Sequence, residues 1–271
     1  MPRYGAARSV LLTMTTLLAF SLPGGAARAA AEEGSAVVPL APPDLGQALA
    51  TLLSATEDDA PGATPARLPA CRYRDKATRY AAVRDWPRTL LDTNLRLPSD
   101  YRPWDLVPVS RAGIRGSGLV RRRIIEDLAA LAAAARKAGK PLAVRSAYRS
   151  YATQVATFSS WVRRSGYAQA LKFSARPGHS EHQLGTTVDF TTAPGVPLQT
   201  SFGESPAGRW LAGNGWKHGF IMSYPKGRRK ASCYSYEPWH WRYVGKEMAR
   251  AIHESDQVPR RYLWENFESV P

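Results

Sequence analysis

The ten residues 180–189, with the sequence SEHQLGTTVD, constrain the fold of this chain more than any other stretch. Gly185 permits a tight turn, and the β-branched residues that follow it favour a strand. We therefore expect a loop to present His182 and a strand to present Asp189. Imidazole and carboxylate groups both bind Zn²⁺, so these two side chains are candidate metal ligands.

A second metal-competent group lies near the C-terminus, where Glu237 precedes His240 by three residues. Two histidines and one carboxylate give zinc three protein ligands and leave one coordination position open, as in catalytic sites. The pattern predicts one zinc ion held by His182, Asp189 and His240. Glu237 remains available as a general base. Pro238 excludes a regular helix here, so a kink is expected to turn Glu237 and His240 towards one pocket.

These features resemble the VanY-type D-alanyl-D-alanine carboxypeptidases, which are zinc peptidases of peptidoglycan stem peptides. The resemblance covers roughly residues 90–250. The matching stretches are residues 146–151 (SAYRSY) with Gln154, residues 180–189, residues 219–221 with Tyr224 and Pro225, and residues 237–245. It implies an α+β fold of the LAS or hedgehog-like type, with a small antiparallel sheet and flanking helices.

The resemblance also assigns roles around the predicted metal. Arg149 is expected beside the scissile bond, where a cation stabilises oxyanion charge or holds a substrate carboxylate. Gln154 and Ser180 match residues that contact the dipeptide end of the substrate, and Trp239 is expected to form a wall of the pocket. For these three residues, roles in packing or turns remain open. Glu237 is assigned as base and then acid, and the alternative is that it only hydrogen-bonds a metal ligand.

The chain contains two cysteines, Cys71 and Cys233. In an exported protein such a pair often forms a disulfide, which here would tie an N-terminal arm to the active-site hairpin. Two free thiols remain an alternative. Cys233 lies four residues before Glu237, so a third alternative is that Cys233 lies near the metal as a ligand or an inhibitor.

The N-terminus predicts the compartment. Arg3 and Arg8 precede the apolar residues 10–20, and a small-x-small cleavage site ends at Ala29. This is the pattern of a secretory signal peptide over residues 1–29. The apolar run is short for a membrane anchor, which needs about 20 residues. We expect a secreted, periplasmic or wall-associated protein with no later membrane span.

Beyond the signal peptide we expect two regions. Residues 30–70 are rich in Ala and Pro and predict a flexible spacer with one short helix at 45–53, and residues 71–271 form the peptidase domain with its core at about 90–257. The predicted helices are residues 119–138, 153–164, 208–214 and 246–255, and the predicted strands are 142–144, 187–191, 219–223, and 234–236 paired with 241–244. The expected buried faces are Ile124, Leu128, Leu131 and Ala135 on the first helix, and Val155, Phe158, Trp161 and Val162 on the second.

The formal net charge is +15, and removal of the three arginines within residues 1–29 lowers it to +12. A basic surface suggests an anionic partner, and the candidates are nucleic acid, anionic lipid and an acidic cell-wall polymer. Scattered arginines without a specific partner explain the charge equally well. Nucleic-acid binding is not expected, because export removes the protein from nucleic acid and no stripe of aromatic and basic residues is present. A monomer is expected.

The sequence therefore predicts an exported zinc D,D-carboxypeptidase that hydrolyses the terminal D-Ala–D-Ala bond of stem peptides. L,D-carboxypeptidases, D-Ala–D-Ala dipeptidases and wall endopeptidases with the same zinc ligands are alternatives. A non-catalytic wall-binding module is an alternative from another class. Glu237 argues against that module, because a base beside an open metal adds little to binding.

Overall fold

The computed structural model describes residues 66–270 of the 271-residue chain. The predicted signal peptide, the helix at 45–53 and most of the predicted spacer lie outside the described residues. Within the described part, no helix is both long enough and apolar enough to cross a bilayer.

A mixed five-stranded sheet lies at the centre of the described residues. The strands of this region are β1 (Lys76–Ala77), β2 (Leu95–Arg96), β3 (Leu106–Pro108), β4 (Arg115–Gly116), β5 (Leu119–Arg121), β6 (Ala143–Ser146), β7 (Thr187–Thr191), β8 (Phe220–Met222) and β9 (His240–Tyr243). The central sheet has the order β4-β6-β7-β9-β8, and only the β4–β6 pair in it is parallel. β1 pairs with β2, and β3 pairs with β5.

Helices flank this sheet. The α-helices of residues 66–270 are α1 (Ile125–Lys137), α2 (Tyr151–Ser165), α3 (Tyr167–Phe173), α4 (Pro206–Asn214), α5 (Arg229–Ser232), α6 (Lys246–Glu254) and α7 (Pro259–Leu263). Ser150 caps α2, because its hydroxyl accepts a hydrogen bond from the Thr153 backbone N–H at 3.1 Å. The predicted α+β class, with a small and largely antiparallel sheet, is confirmed.

The two central strands divide the molecule into an apolar side and a polar side. Successive side chains of a strand point to opposite faces. Val188 and Phe190 of β7 therefore enter the main core, together with Trp241 of β9 and Leu128 and Leu131 of α1. The alternate residues of the same strands occupy the opposite face, which carries the candidate site.

The predicted first helix begins too early in the sequence. Residues 119–121 form β5, which pairs with β3, and a 3₁₀ turn, Arg122–Ile124, precedes α1. The hydrogen bonds of this strand pair override the local helical pattern. The predicted buried face is confirmed, because Ile124, Leu128, Leu131 and Ala135 are all fully buried.

The predicted buried face of the second helix is wrong in part. Phe158 is buried, but Val155 and Trp161 are 40% and 38% exposed. The polar side chain of Gln154 points inward instead, and its amide donates to the Ala175 carbonyl at 2.7 Å. A partner for the buried amide thus allows a polar residue to replace an apolar one.

The predicted pairing of strands 234–236 and 241–244 is also wrong. Residues 234–236 are irregular, and β9 pairs with β7 and β8. Tyr234 instead packs its ring against Tyr224, with the centroids 4.9 Å apart. The aromatic content that favoured a strand in this stretch serves side-chain packing.

A disulfide joins Cys71 to Cys233, with the Cα atoms 5.3 Å apart, and this confirms the predicted pairing. Two further contacts hold the segment that follows Cys71. Arg176 donates to the Asp75 carboxylate at 3.0 Å, and the ring of His179 lies 2.8 Å from the same carboxylate. The N-terminal segment is therefore attached to the loops before both Glu237 and His182.

Removal of this disulfide should destabilise the protein. The bond links residues 162 positions apart, so it restricts the unfolded chain strongly. We expect the variant with both Cys71→Ser and Cys233→Ser to lose about 3–5 kcal/mol of unfolding free energy in urea denaturation without reductant. Reduced native protein is the control and should unfold at the variant's midpoint. An unchanged midpoint in both samples would contradict the expectation.

Candidate metal centre and active-site cleft

A cleft of about 550 Å³ opens on the polar side of the sheet. It is lined by the predicted metal ligands and by residues from the loops around them. Among the lining residues are His182, Asp189, His240, Glu237, Arg149, Ser180 and Trp239. The structure thus brings most of the predicted site residues to one cleft.

Three metal-binding groups converge at the bottom of this cleft. His182 lies in a 3₁₀ turn, Glu181–Leu184, which ends at Gly185 with a φ of 74°. Asp189 lies on β7 and is paired directly with His240 on β9. One potential ligand atom from each of the three side chains lies within 4.8 Å of the others. His182 Nε2 is 3.3 Å from Asp189 Oδ2, and His240 Nδ1 is 3.4 Å from Asp189 Oδ1.

The chemistry of these groups fits a metal ion. His182 Nε2 and Asp189 Oδ1 are buried and have no hydrogen-bond partner among the described residues. Buried polar atoms without a partner are rare and costly in folded proteins. A cation between the three side chains would satisfy both atoms, and two nitrogen donors with one oxygen donor match a catalytic zinc site.

Hydrogen bonds orient both imidazoles towards the centre. His182 Nδ1 lies 2.6 Å from the Ala147 carbonyl oxygen and so donates to it, which leaves Nε2 as the ligand atom. His240 Nε2 lies 2.9 Å from Glu181 Oε2, which leaves Nδ1 facing Asp189. Such partners fix the tautomer and the direction of a metal-binding histidine.

Glu181 is a candidate functional residue that the sequence analysis missed. Its carboxylate is buried and accepts hydrogen bonds from Ser223 at 2.6 Å and from Arg242 at 3.1 Å, besides contacting His240. Burial alone would raise the pKa of Glu181, but the hydrogen bond from His240 and the charge of Arg242 lower it to about 2. Its place beside His182 in the motif was the available clue.

The two candidate histidine ligands differ in their pKa values. Burial lowers the pKa of His182 to about 4, so the imidazole is neutral and ready to coordinate at neutral pH. Burial would also lower the pKa of His240. The neighbouring Asp189 carboxylate and the hydrogen bond to Glu181 outweigh this effect and raise the pKa of His240 to about 10. Metal binding must therefore displace a proton from His240.

Glu237 lies beside the three ligands. Its Oε2 is 3.6 Å from His240 Nδ1, and its backbone N–H donates to the Tyr224 carbonyl at 3.1 Å. Burial raises the pKa of Glu237 to about 7, and the charge of His240 opposes this shift. A carboxyl group with a pKa near neutrality can both accept and donate a proton at neutral pH.

The remaining predicted contacts are placed as follows. Arg149 lines the cleft, and its Nε is buried without a hydrogen-bond partner in the described part of the chain. Ser180 and Trp239 also line the cleft. Gln154 lies behind the cleft wall and supports Ala175, which is a lining residue. A direct contact between Gln154 and substrate stays a prediction.

Replacement of Glu181 should weaken metal binding, and it should also lower stability because buried Arg242 loses its charged partner. Glu181→Gln keeps the size of the side chain but removes the negative charge behind His240. We expect zinc affinity to fall about 10–100-fold, measured by competition with a chromogenic chelator. Glu254→Gln, which makes the same change on the exposed side of α6, should bind zinc like the native protein. Native affinity in Glu181→Gln would exclude this role for Glu181.

Comparison with known proteins agrees with this geometry. A family model described as VanY, D-alanyl-D-alanine carboxypeptidase, matches residues 117–246. YodJ of Bacillus subtilis is 37% identical over 180 residues, which cover 64% of this chain and 66% of YodJ. A D-alanyl-D-alanine carboxypeptidase of Enterococcus faecalis is 32% identical over 188 residues, or 66% of each chain. The chain thus spans about two thirds of the length of these relatives.

Solved structures show the same similarity over nearly the whole length of the compared chains. The LdcB LD-carboxypeptidase is 32% identical with a TM-score of 0.61, and the match covers 74% of this chain and 99% of LdcB. A zinc complex of the vancomycin resistance D,D-pentapeptidase VanY is 30% identical with a TM-score of 0.56, covering 66% of this chain and 99% of that one. Together with the site geometry, these similarities show that the chain belongs to the VanY family of D-alanyl-D-alanine carboxypeptidases.

Proposed function

We propose that this protein is an exported zinc D,D-carboxypeptidase that removes the terminal D-alanine from peptidoglycan stem peptides. The observation that carries the proposal is the position of Glu237, a carboxyl group with a raised pKa beside three converging metal ligands. A module that only bound the cell wall would gain nothing from this arrangement. The VanY-family D,D-pentapeptidase, solved as a zinc complex, supports both the metal and the substrate class.

His182, Asp189 and His240 would hold the ion. Bound there, zinc supplies a Lewis acid that polarises the scissile carbonyl and lowers the pKa of water to about 7. Glu237 accepts a proton from the attacking water and returns it to the amine of the departing D-alanine. The new C–O bond forms first at the carbonyl carbon, and the C–N bond breaks once its nitrogen has taken up the proton from Glu237, so the products are the shortened peptide and free D-alanine.

Arg149 supplies a fixed positive charge in the same cleft. Its backbone N–H donates to the His182 carbonyl at 3.2 Å, which ties its position to the turn that carries the ligand. The guanidinium can hold the terminal carboxylate of the substrate or stabilise charge on the carbonyl oxygen. The first of these roles would select substrates with a free C-terminus, as a carboxypeptidase requires.

An L,D-carboxypeptidase is the second candidate. LdcB, an LD-carboxypeptidase, has a TM-score of 0.61 to this chain, against 0.56 for the D,D-pentapeptidase VanY. The two activities share the same bond chemistry and differ in the configuration of the residue before the scissile bond. The substrate, rather than the metal site, separates them.

Export is part of the proposal. Residues 1–29 have the pattern of a signal peptide, and the Cys71–Cys233 disulfide supports an oxidising compartment. The basic composition supports an association with anionic wall polymers. N-terminal sequencing of protein from the culture medium or the cell wall should begin at Ala30. Recovery of intact Met1 in the cytoplasm alone would contradict export.

The activity is tested by incubating the zinc-loaded protein with two stem peptides and analysing the products by mass spectrometry. A D,D-carboxypeptidase removes one alanine from the pentapeptide ending in D-Ala–D-Ala and leaves the tetrapeptide intact. If D-alanine is removed only from the tetrapeptide, the protein is an L,D-carboxypeptidase. If neither peptide is shortened, an endopeptidase or a non-catalytic module would be the better account.

Two controls assign the reaction to the site. A chelator should abolish cleavage, and added zinc should restore it. Glu237→Ala should lower kcat by at least about 100-fold, the usual contribution of a general base, while zinc stays bound. Residual activity near the native level in Glu237→Ala would exclude this residue as the base.

A further inference from the structure

A second pocket, of about 270 Å³, lies beside the N-terminal segment and shares no lining residue with the active-site cleft. Three cationic side chains line it, Arg72, Arg74 and Lys76, and we call them the cation row. All three are exposed. Trp264 forms part of the same lining. No step of the proposed hydrolysis uses these side chains, so the pocket needs another explanation.

Backbone pairing places the three cations on one side of an extended segment. The Arg74 N–H donates to the Thr93 carbonyl at 3.0 Å, as the segment leads into β1. The Lys76 N–H and the Arg72 N–H both donate to Asn94, at 3.0 Å to its carbonyl and at 3.2 Å to its side chain. In an extended chain, alternate side chains point to the same side and stand about 7 Å apart. The cation row is therefore a line of charges rather than a compact cluster.

Contacts on the opposite side hold this segment in place. The Tyr73 hydroxyl donates to the Leu171 carbonyl at 3.4 Å. The Asp75 carboxylate accepts a hydrogen bond from Arg176 at 3.0 Å, and the ring of His179 lies 2.8 Å from it. Because the alternate residues are anchored to the protein in this way, the cation row faces away from these contacts and into the pocket.

The positive charge of the cation row is not neutralised within residues 66–270. Asp75 pairs with Arg176 at 3.0 Å, and Asp92, the acidic residue of the pocket lining, pairs with Arg260 at 2.6 Å. In this described part of the chain, the cation row itself forms no ion pair. Cations without partners produce a positive potential, and a concave surface concentrates it. The pocket therefore fits an anionic ligand.

The shape of the site selects among anions. A compact anion would meet only part of a line of cations, whereas a chain with a charge in every repeat can meet all of it. The volume of about 270 Å³ lies below the usual range for drug-sized ligands, which favours a slim chain over one built from bases or sugar rings. The guanidinium forks of Arg72 and Arg74 match phosphate oxygens. The indole N–H of Trp264 donates to the Ala66 carbonyl at 2.6 Å, which fixes an aromatic surface for the carbon part of such a chain.

We propose that the cation row and Trp264 bind a polyol phosphate, an unbranched phosphodiester polymer of the cell wall. This rests on the proposed function, because export is what brings the protein to that polymer. Single-stranded nucleic acid carries the same charges, but the proposed export separates it from the protein. Binding at this pocket holds the enzyme at the wall while the cleft, which shares none of its lining, stays open to stem peptides.

The site is tested by calorimetric titration of the protein with synthetic poly(glycerol phosphate) at low ionic strength. The variant with Arg72→Gln, Arg74→Gln and Lys76→Gln keeps long polar side chains but removes the charges. Its Kd should rise at least about tenfold, because the charge-assisted contacts to phosphate are lost. Added salt should weaken the native complex more steeply than the variant complex, because the native complex releases more counterions from the polymer when it forms.

A matched control separates this site from net charge. The variant with Arg122→Gln, Lys137→Gln and Arg250→Gln removes the same total charge from exposed positions that do not line the pocket. It should bind the polymer nearly as the native protein does. Both variants should unfold at the native urea midpoint, because all the replaced side chains are exposed. If the control variant loses as much affinity as the cation-row variant, binding reflects net charge and the site is overturned.

Two other polymers test the choice of ligand. A polyuronate carries carboxylates on sugar rings, and single-stranded DNA carries phosphates between nucleosides. Both should bind more weakly than poly(glycerol phosphate), because the pocket favours a slim chain. Equal or tighter binding of either polymer would overturn the assignment of the ligand.

Failure of this site and failure of the proposed activity give different results. Poly(glycerol phosphate) contains no peptide bond, so its affinity does not depend on turnover. If the native protein shortens neither stem peptide but the cation-row variant loses affinity for the polymer, the proposed activity fails and the site stands. If a stem peptide is cleaved and the cation-row variant binds the polymer like the native protein, the activity stands and the site is overturned.

Discussion

The register between β7 and β9 is the constraint on which the candidate site depends. It places Asp189 directly opposite His240, while Val188 faces Trp241 in the next pair. A shift of one residue in a strand moves every side chain to the other face of the sheet. The apolar side chains of the same strands are buried in the main core, so such a shift would expose them. The hydrophobic effect that stabilises the sheet thus also holds two candidate metal ligands side by side.

A buried network of charges connects this register to the rest of the protein. Arg242 follows His240 by two residues and lies on the same face of β9, with its side chain fully buried. It donates to Glu181 at 3.1 Å and to the backbone carbonyls of Trp86 and Thr89 at 2.8 and 2.7 Å. Loss of one partner from such a network leaves an uncompensated buried charge, which is strongly destabilising. The segment before β2 therefore supports the carboxylate that orients His240.

The sequence allowed the convergence of His182, Asp189, His240 and Glu237 to be predicted because the chemistry of a metal site is carried by residue type and short spacing. His182, Asp189 and His240 belong to the few residue types that bind zinc, and they lie in short recognisable motifs. The strand β7 was predicted with the bounds that the structure shows. Glu181 was missed because its role depends on Arg242 and Ser223, which lie 61 and 42 residues away along the chain. Trp161 was assigned to the core because helical periodicity identifies an apolar face but not whether that face meets the core or a cleft. The start of α1 was predicted wrongly for a related reason, since β5 is stabilised by its pairing with β3, which a local helical pattern does not reveal.

The central claim is that one metal ion is held by His182 Nε2, His240 Nδ1 and Asp189, with Glu237 left free. X-ray diffraction from zinc-soaked crystals, with anomalous data collected at the zinc absorption edge, tests it most directly. The account predicts one strong peak about 2.0–2.2 Å from each of these three ligand groups. It also predicts that His240 Nε2 remains hydrogen-bonded to Glu181 and that Glu237 lies outside the coordination sphere. A peak coordinated by Glu237, or by His240 through Nε2, would contradict the assignment of ligands and base.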